Sequence, residues 1–190
     1  MNIANKLTLL RIILVFVFMG VIWMPLGLSI EVVLWISLAI FIIASLTDFL
    51  DGYLARKLNL VTNLGKFMDP LADKMLVATA LLAIVDLGNK GMLPMGSFPA
   101  WIVVFIILRE FMVSGLRLIA ANHNIVLAAN YWGKIKTVVQ MLTIIVYLLP
   151  IQNNGLSMLG IGLAYASLAL TLISGFIYLW ENRKVFEDQQ

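Results

Sequence analysis

The sequence predicts an all-α membrane protein built from six transmembrane helices, and three observations predict it. Of the 190 residues, 62% are hydrophobic, and the mean hydropathy is +1.01. Charged residues make up only 12%, about half the share of a usual soluble domain, and a soluble fold of this size could not cover so much apolar surface. The apolar residues also fall into runs near the roughly 20 residues needed to cross the hydrocarbon core, parted by polar or Gly/Pro breaks.

The first span is expected over about residues 7–25, ending at Met24-Pro25-Leu26-Gly27. The stretch Met1–Lys6 is short, and the apolar run after it lacks a small-residue cleavage site, so this span is expected to be retained. The second span covers about 31–56 and stops at the polar segment from Asn59 to Gly65; the third covers about 66–87, with Pro70 in its first turns, where it disturbs least. A Gly88–Pro99 break precedes the fourth span at about 98–121, and Asn122-His123-Asn124 precedes the fifth at about 132–151. Gln152-Asn153-Asn154-Gly155 leads into the sixth at about 156–181, where Gly160 and Gly162 would permit close helix contact. With no repeat, linker or low-complexity stretch, residues 1–190 are expected to form a single membrane domain. The absence of Cys excludes disulfide, thiolate and zinc-thiolate chemistry. Nucleic acid is not an expected partner.

Lys and Arg set the expected orientation. Lys6 and Arg11 flank the start of span one, Arg56, Lys57 and Lys66 the second connection, Arg117, Lys134 and Lys136 the fourth, and Arg183 and Lys184 the tail, whereas Lys90 stands alone on the other side. Both termini and the even-numbered connections are therefore expected in the cytoplasm. Trp23, Trp35 and Trp101 would mark the outer interface, and Trp132 and Trp180 the inner one. Glu31, 17 positions from Asp48, and Asp86, 13 positions from Asp73, are expected to be interfacial charges at the outer end.

Four aspartates fall at the cytoplasmic ends of spans two and three. Asp48 and Asp51 are spaced i, i+3, and Asp69 and Asp73 are spaced i, i+4, so each pair shares a helix face. A carboxylate at a membrane-helix centre costs roughly 2.5–3.5 kcal/mol on insertion scales, and a divalent cation offsets that cost. Two antiparallel helices presenting four carboxylates make a hard oxygen site suited to Mg²⁺ or Mn²⁺. Gly52 and Gly65 remove side chains where a ligand or partner helix could approach, and Arg56, one turn past Gly52, can reach an anion. Composition alone suits a proton or cation relay as well as a metal site.

The string Asp48-x2-Asp51-Gly52-x2-Ala55-Arg56-x8-Gly65-x3-Asp69-x3-Asp73 resembles the signature of the CDP-alcohol phosphatidyltransferase family at all eight positions, gaps included. The resemblance implies a bundle of six membrane helices in a homodimer, with an active site facing the cytoplasm. It implies transfer of a phosphatidyl group from a CDP-linked lipid to an alcohol, with release of CMP. By the same resemblance, Asp48, Asp51, Asp69 and Asp73 ligate two divalent ions that hold the pyrophosphate, and Asp73 is also the general base. Thr47, Asp48, Gly52, Arg56 and Gly65 fall at CDP-lipid-binding positions.

The acceptor must be read outside that frame. Arg109 and Arg117 lie eight apart on span four, Arg109 near its middle, while Glu110, being adjacent, is expected to face elsewhere and to pair with a neighbouring basic residue. Lys134 and Lys136 open span five, with Gln140 one turn on. So many cations suit a phosphate-bearing acceptor, with positive-inside anchors that snorkel to the interface as the lesser alternative for Arg117, Lys134 and above all Lys136. The strings Arg109-Glu110-Phe-Met-Val-Ser114-Gly115-Leu-Arg117, Gly133-Lys134-Ile-Lys136-Thr137-Val-Val-Gln140, Pro70-Leu-Ala-Asp73-Lys74 and Asn5-Lys-Leu-Thr8-Leu-Leu-Arg11 resemble those of the family's phosphatidylglycerophosphate synthases. This resemblance implies CDP-diacylglycerol as donor and sn-glycerol 3-phosphate as acceptor, with Arg109, Arg117, Lys134 and Lys136 on the acceptor phosphate. Asn5, Thr8, Arg11 and Gln140 are weaker candidates. Serine, inositol phosphate or phosphatidylglycerol as acceptor, and a cation or proton transporter, are the competing expectations.

Overall fold

The computed structural model describes residues 3–24, 26–57, 63–122 and 131–183, giving the backbone alone for 3–5, 48–57, 63–70, 73, 121 and 122. Pro25, residues 58–62, His123, Asn124 and Lys184 lie outside the described residues. Six helices follow in order: α1 (Ile3–Trp23), α2 (Ile30–Lys57), α3 (Asn63–Asn89), α4 (Ala100–Asn122), α5 (Tyr131–Leu148) and α6 (Asn154–Glu181). No strand occurs among the described residues.

Three of these helices are long and apolar enough to cross a membrane by themselves: α1 over Lys6–Trp23, α2 over Ile30–Thr47, and α6 throughout. The expectation of six spans was finer than this. The other three helices have charges spread along their length: Lys66, Asp69, Asp73, Lys74 and Asp86 on α3, Arg109, Glu110 and Arg117 on α4, and Lys134 and Lys136 on α5. The chain is an integral membrane protein with more than one crossing, and its candidate site residues lie on α1 to α5. All five tryptophans are exposed, as expected of side chains that sit at headgroup level.

The chain divides into two compact units, one of residues 1–98 and 144–153, the other of 99–143 and 154–190. In the first, α1 packs against both α2 and α3, and α2 packs against α3. Phe18, Phe41, Leu76, Leu81 and Ile84 form fully buried parts of this core, and Phe98 meets Tyr147 edge-on with ring centroids 4.9 Å apart. At the far end of α3, Gly91 takes a left-handed conformation with φ 67°. Its N–H donates to the Gly88 carbonyl at 3.0 Å, and the Met92 N–H donates to the Leu87 carbonyl at 2.9 Å, which closes the helix with a Schellman turn. The following segment folds back so closely that a Cβ on Gly88 would lie 3.0 Å from the Ser97 Cα.

Helix α3 begins at Asn63, earlier than expected, so Pro70 lies two turns in rather than in the first turns. Its missing N–H removes the helical bond that the Lys66 carbonyl would accept, and this happens beside Asp69.

In the second unit α4 packs against α6, with Val113, Leu116, Ala120 and Tyr178 at the centre of a buried cluster. The buried face of α6 is made of Gly160, Ala164, Ser167, Thr171, Ser174, Gly175 and Tyr178. The large residues Met158, Phe176 and Trp180 lie on its exposed side. This is the pattern of a helix packing in lipid, where close backbone approach and not hydrophobicity drives association. Gly160 is on that buried face, but Gly162 faces open space, so only the first serves close contact.

Candidate active site

The aspartate frame belongs to the first unit. Helices α2 and α3 are joined through the five residues 58–62 and pack against each other. Asp51 lies six residues before the end of α2, and Asp69 six residues after the start of α3. Both are therefore about 9 Å in from the joined ends. Asp48 and Asp73 lie nine and ten residues in, again at matching depth. The four aspartates thus lie at matching depths along α2 and α3, and four carboxylates are a donor set that suits a hard divalent cation. The side chains of Asp48, Asp51, Gly52, Arg56, Gly65, Asp69 and Asp73 are outside the described part of the structure, as is that of Asn5.

Helix α1 reaches the same level. At the other end of the unit, the Trp23 indole Nε1 donates to Asp86 Oδ2 at 2.8 Å, which sets the register of α1 against α3 and shows that the two run parallel. Arg11 lies 12 residues back from Trp23, and Asp73 lies 13 back from Asp86. At 1.5 Å per residue their heights differ by only about 1.5 Å. The Arg11 side chain is fully buried, and Thr8 nearly so. A guanidinium is almost never buried without polar partners, and Arg11 has them. Its burial makes it a charge held within the helix packing and not one exposed at the interface.

Thr47, the last residue of α2 with a described side chain, is also buried. Its Oγ1 donates to the Ile43 carbonyl at 2.7 Å. That spends its proton within the helix and leaves its lone pairs for a donor on a ligand.

Arg109, Arg117, Lys134 and Lys136 belong to the second unit, and Glu110 ties Arg109 to Lys136. Arg109 Nη1 donates to Glu110 Oε1 at 3.1 Å, and Arg109 Nη2 donates to Ser174 Oγ on α6 at 3.0 Å. Lys136 Nζ on α5 donates to the same Glu110 Oε1. Arg117 Nε donates to the Tyr178 hydroxyl at 3.0 Å, and its guanidinium stands 5.4 Å from the centre of that ring. Gln140, one turn past Lys136, is buried, and its Nε2 has no hydrogen-bond partner among the described residues.

Two expectations are corrected here. Glu110 does not face away from Arg109, because long side chains on adjacent positions can bend to meet at a helix face. The expected pairing of Glu110 with basic neighbours does hold. Lys136 is not a snorkelling anchor, since it is 3% exposed and held by Glu110. Lys134, by contrast, is exposed and fits that role. Ser174, Gly175 and Tyr178 were not singled out from sequence. Their only signal was the three-four spacing of small residues along α6, which reads as packing.

The family model described as CDP-alcohol phosphatidyltransferase matches residues 1–176. A Bacillus subtilis (strain 168) protein named CDP-diacylglycerol--glycerol-3-phosphate 3-phosphatidyltransferase is 43% identical, over 95% of this chain and 95% of its own length. Proteins of the same name from Haemophilus influenzae and Rickettsia felis are 38% and 32% identical, covering 94% and 97% of this chain and 91% and 97% of their own lengths. With the aspartate frame lying at matched depth on two packed helices and the family model matching residues 1–176, the chain belongs to the CDP-alcohol phosphatidyltransferase family.

Proposed function

We propose that the protein is a transferase of phospholipid biosynthesis that moves the phosphatidyl group of CDP-diacylglycerol to sn-glycerol 3-phosphate, giving phosphatidylglycerophosphate and CMP. The observation that carries this reading is the 43% identity along 95% of both chains to a relative named for that reaction. Arg109 and the buried Lys136, joined through Glu110, and Arg117, held by the Tyr178 hydroxyl, support a phosphate-bearing acceptor over a neutral one.

In this reading Asp48, Asp51, Asp69 and Asp73 hold two divalent ions, Mg²⁺ or Mn²⁺. Once bound, such ions offset the pyrophosphate charge and stabilise the attacking and leaving oxygens of an in-line displacement. The chain's own groups do the rest. Asp73 accepts the proton of the acceptor's 1-hydroxyl. The freed oxygen forms its bond to the lipid-linked phosphorus, and the bond to CMP breaks, CMP taking the electron pair. Arg56, with Gly52, Gly65 and Thr47, receives the nucleotide, while Arg11, buried at the height of Asp73, balances carboxylate charge. Arg109, Arg117 and Lys136 bind the acceptor phosphate, the two arginines as planar forks and the lysine as a point charge. Lys134 contributes from an exposed position, and Gln140 offers an unused amide donor. Asn5 and Thr8 line the start of α1 beside Arg11.

All six helices cross the membrane as one domain, with both termini and the active site on the cytoplasmic side, and the enzyme works as a homodimer.

The test uses purified protein in detergent with CDP-diacylglycerol, Mg²⁺ and labelled glycerol 3-phosphate. Label should enter lipid with stoichiometric release of CMP, and Asp73→Asn should abolish it. CMP release only with serine, inositol phosphate or phosphatidylglycerol would overturn the acceptor. No CMP release from folded protein with any alcohol would overturn the reaction.

A further inference from the structure

Arg109 is seated by three neighbours that no sequence frame marks. Glu110 supplies charge: one oxygen, Oε1, accepts from Arg109 Nη1 at 3.1 Å and also from Lys136 Nζ. Ser174 supplies direction. Its Oγ accepts from Arg109 Nη2 at 3.0 Å and donates its own proton to the Thr171 carbonyl at 3.2 Å, so the lone pairs are left for the guanidinium. Gly175 supplies room. A Cβ there would lie 3.0 Å from Arg109 Cγ and 3.5 Å from its Nε. The arginine stem therefore runs directly over the backbone of α6, and on its other side Nη2 lies 3.8 Å from the position of a Cβ on Gly133 of α5.

We infer that Glu110, Ser174 and Gly175 are the positioning residues of the acceptor-phosphate site, acting through Arg109. The inference rests on the proposed role of Arg109 in binding that phosphate. Each Nη group gives one hydrogen to the seat, and its second hydrogen remains for a phosphate oxygen. A guanidinium fixed at stem and head presents those two hydrogens as a ready fork, so substrate binding does not have to order a long flexible side chain. Glu110 also lets Lys136 and Arg109 sit together, leaving the three side chains with a net charge of +1 for an anion.

Steady-state kinetics with both substrates separate this from a merely structural role. Ser174→Ala should raise the KM for glycerol 3-phosphate about tenfold, the loss of one hydrogen bond to a charged group, with the KM for CDP-diacylglycerol unchanged. Ser174→Thr, which keeps the hydroxyl, should restore it. Gly175→Ala should shift the same KM because the new methyl displaces the Arg109 stem. Ser174→Ala removes a single oxygen and carries the test even if Gly175→Ala fails to fold. An unchanged glycerol 3-phosphate KM, an equal shift of both KM values, or no rescue by Thr would overturn the inference. If the unsubstituted protein ignores glycerol 3-phosphate, the proposed function falls first and takes the inference with it; the wild-type control distinguishes that failure from the others.

Discussion

Asp86 and Glu110 are both acids on mostly apolar helices, and each holds a lysine, yet the two are built differently. Asp86 accepts from Lys90, one turn along the same helix, at 2.7 Å and from the Trp23 indole at 2.8 Å. The Asp86 and Lys90 side chains are 35% and 50% exposed. Glu110 draws its lysine from another helix, 26 residues away, and shares it with Arg109, all three side chains being 21% exposed or less. The first group is local and solvated, so it contributes little and asks for no ligand. The second collects two cations in a poorly solvated interior, where each charge depends on the others and an incoming anion gains most.

The sharpest way to break the contrast is Glu110→Ala. With the acid gone, Arg109 and Lys136 would repel each other in a poorly solvated site, costing about 3 kcal/mol of stability. Thermal unfolding in detergent should show a clear drop, and transfer to glycerol 3-phosphate should be lost. Next comes Lys136→Met, which keeps the volume and removes one cation. It should cost about 2 kcal/mol and raise the KM for glycerol 3-phosphate, whereas Lys134→Met, at an exposed position, should change stability by less than about 0.5 kcal/mol. Arg117→Lys retains charge but loses both the planar stack on Tyr178 and the Nε bond to its hydroxyl. A loss of about 1 kcal/mol is expected, read as a lower unfolding midpoint. Asp86→Asn should also cost little, under about 1 kcal/mol, with turnover unaltered. A large effect there, or a small one at Glu110, would erase the distinction between the two acids.

The same two residues show how far the sequence could be read. Asp86 was legible as a charge apart from the motif aspartates because it lies 13 residues from Asp73; its i+4 pairing with Lys90 was not drawn, although the spacing permits it. The aspartate frame was legible for a similar reason: local spacing fixes a helix face, and the short α2–α3 connection fixes equal depth. Helix number and order were legible from apolar runs bounded by Gly, Pro and Asn. The Arg109 seat was not. Nothing local joins residue 109 to residue 174, and a serine and a glycine on an apolar helix read as packing. Nor was the burial of Lys136, because a lysine at a helix start has the same sequence signature whether it snorkels or turns inward. Pro70 was misplaced by a few residues for a simple reason: the polar Asn63-Leu64-Gly65 stretch reads as loop, yet α3 begins there.

Helix α6 keeps small residues inward and Met158, Phe176 and Trp180 outward, which separates two selections during biogenesis. Entry into the bilayer depends on summed apolarity, and Ala164→Leu would improve it. Assembly with the neighbouring helices depends on a fit that the added leucine would wedge apart. A lesion of this kind would pass insertion and accumulate in the membrane at normal orientation, with α6 undocked. It would fail only later, as a substrate for membrane-protein quality control, so expression level would be a poor proxy for folding across this helix.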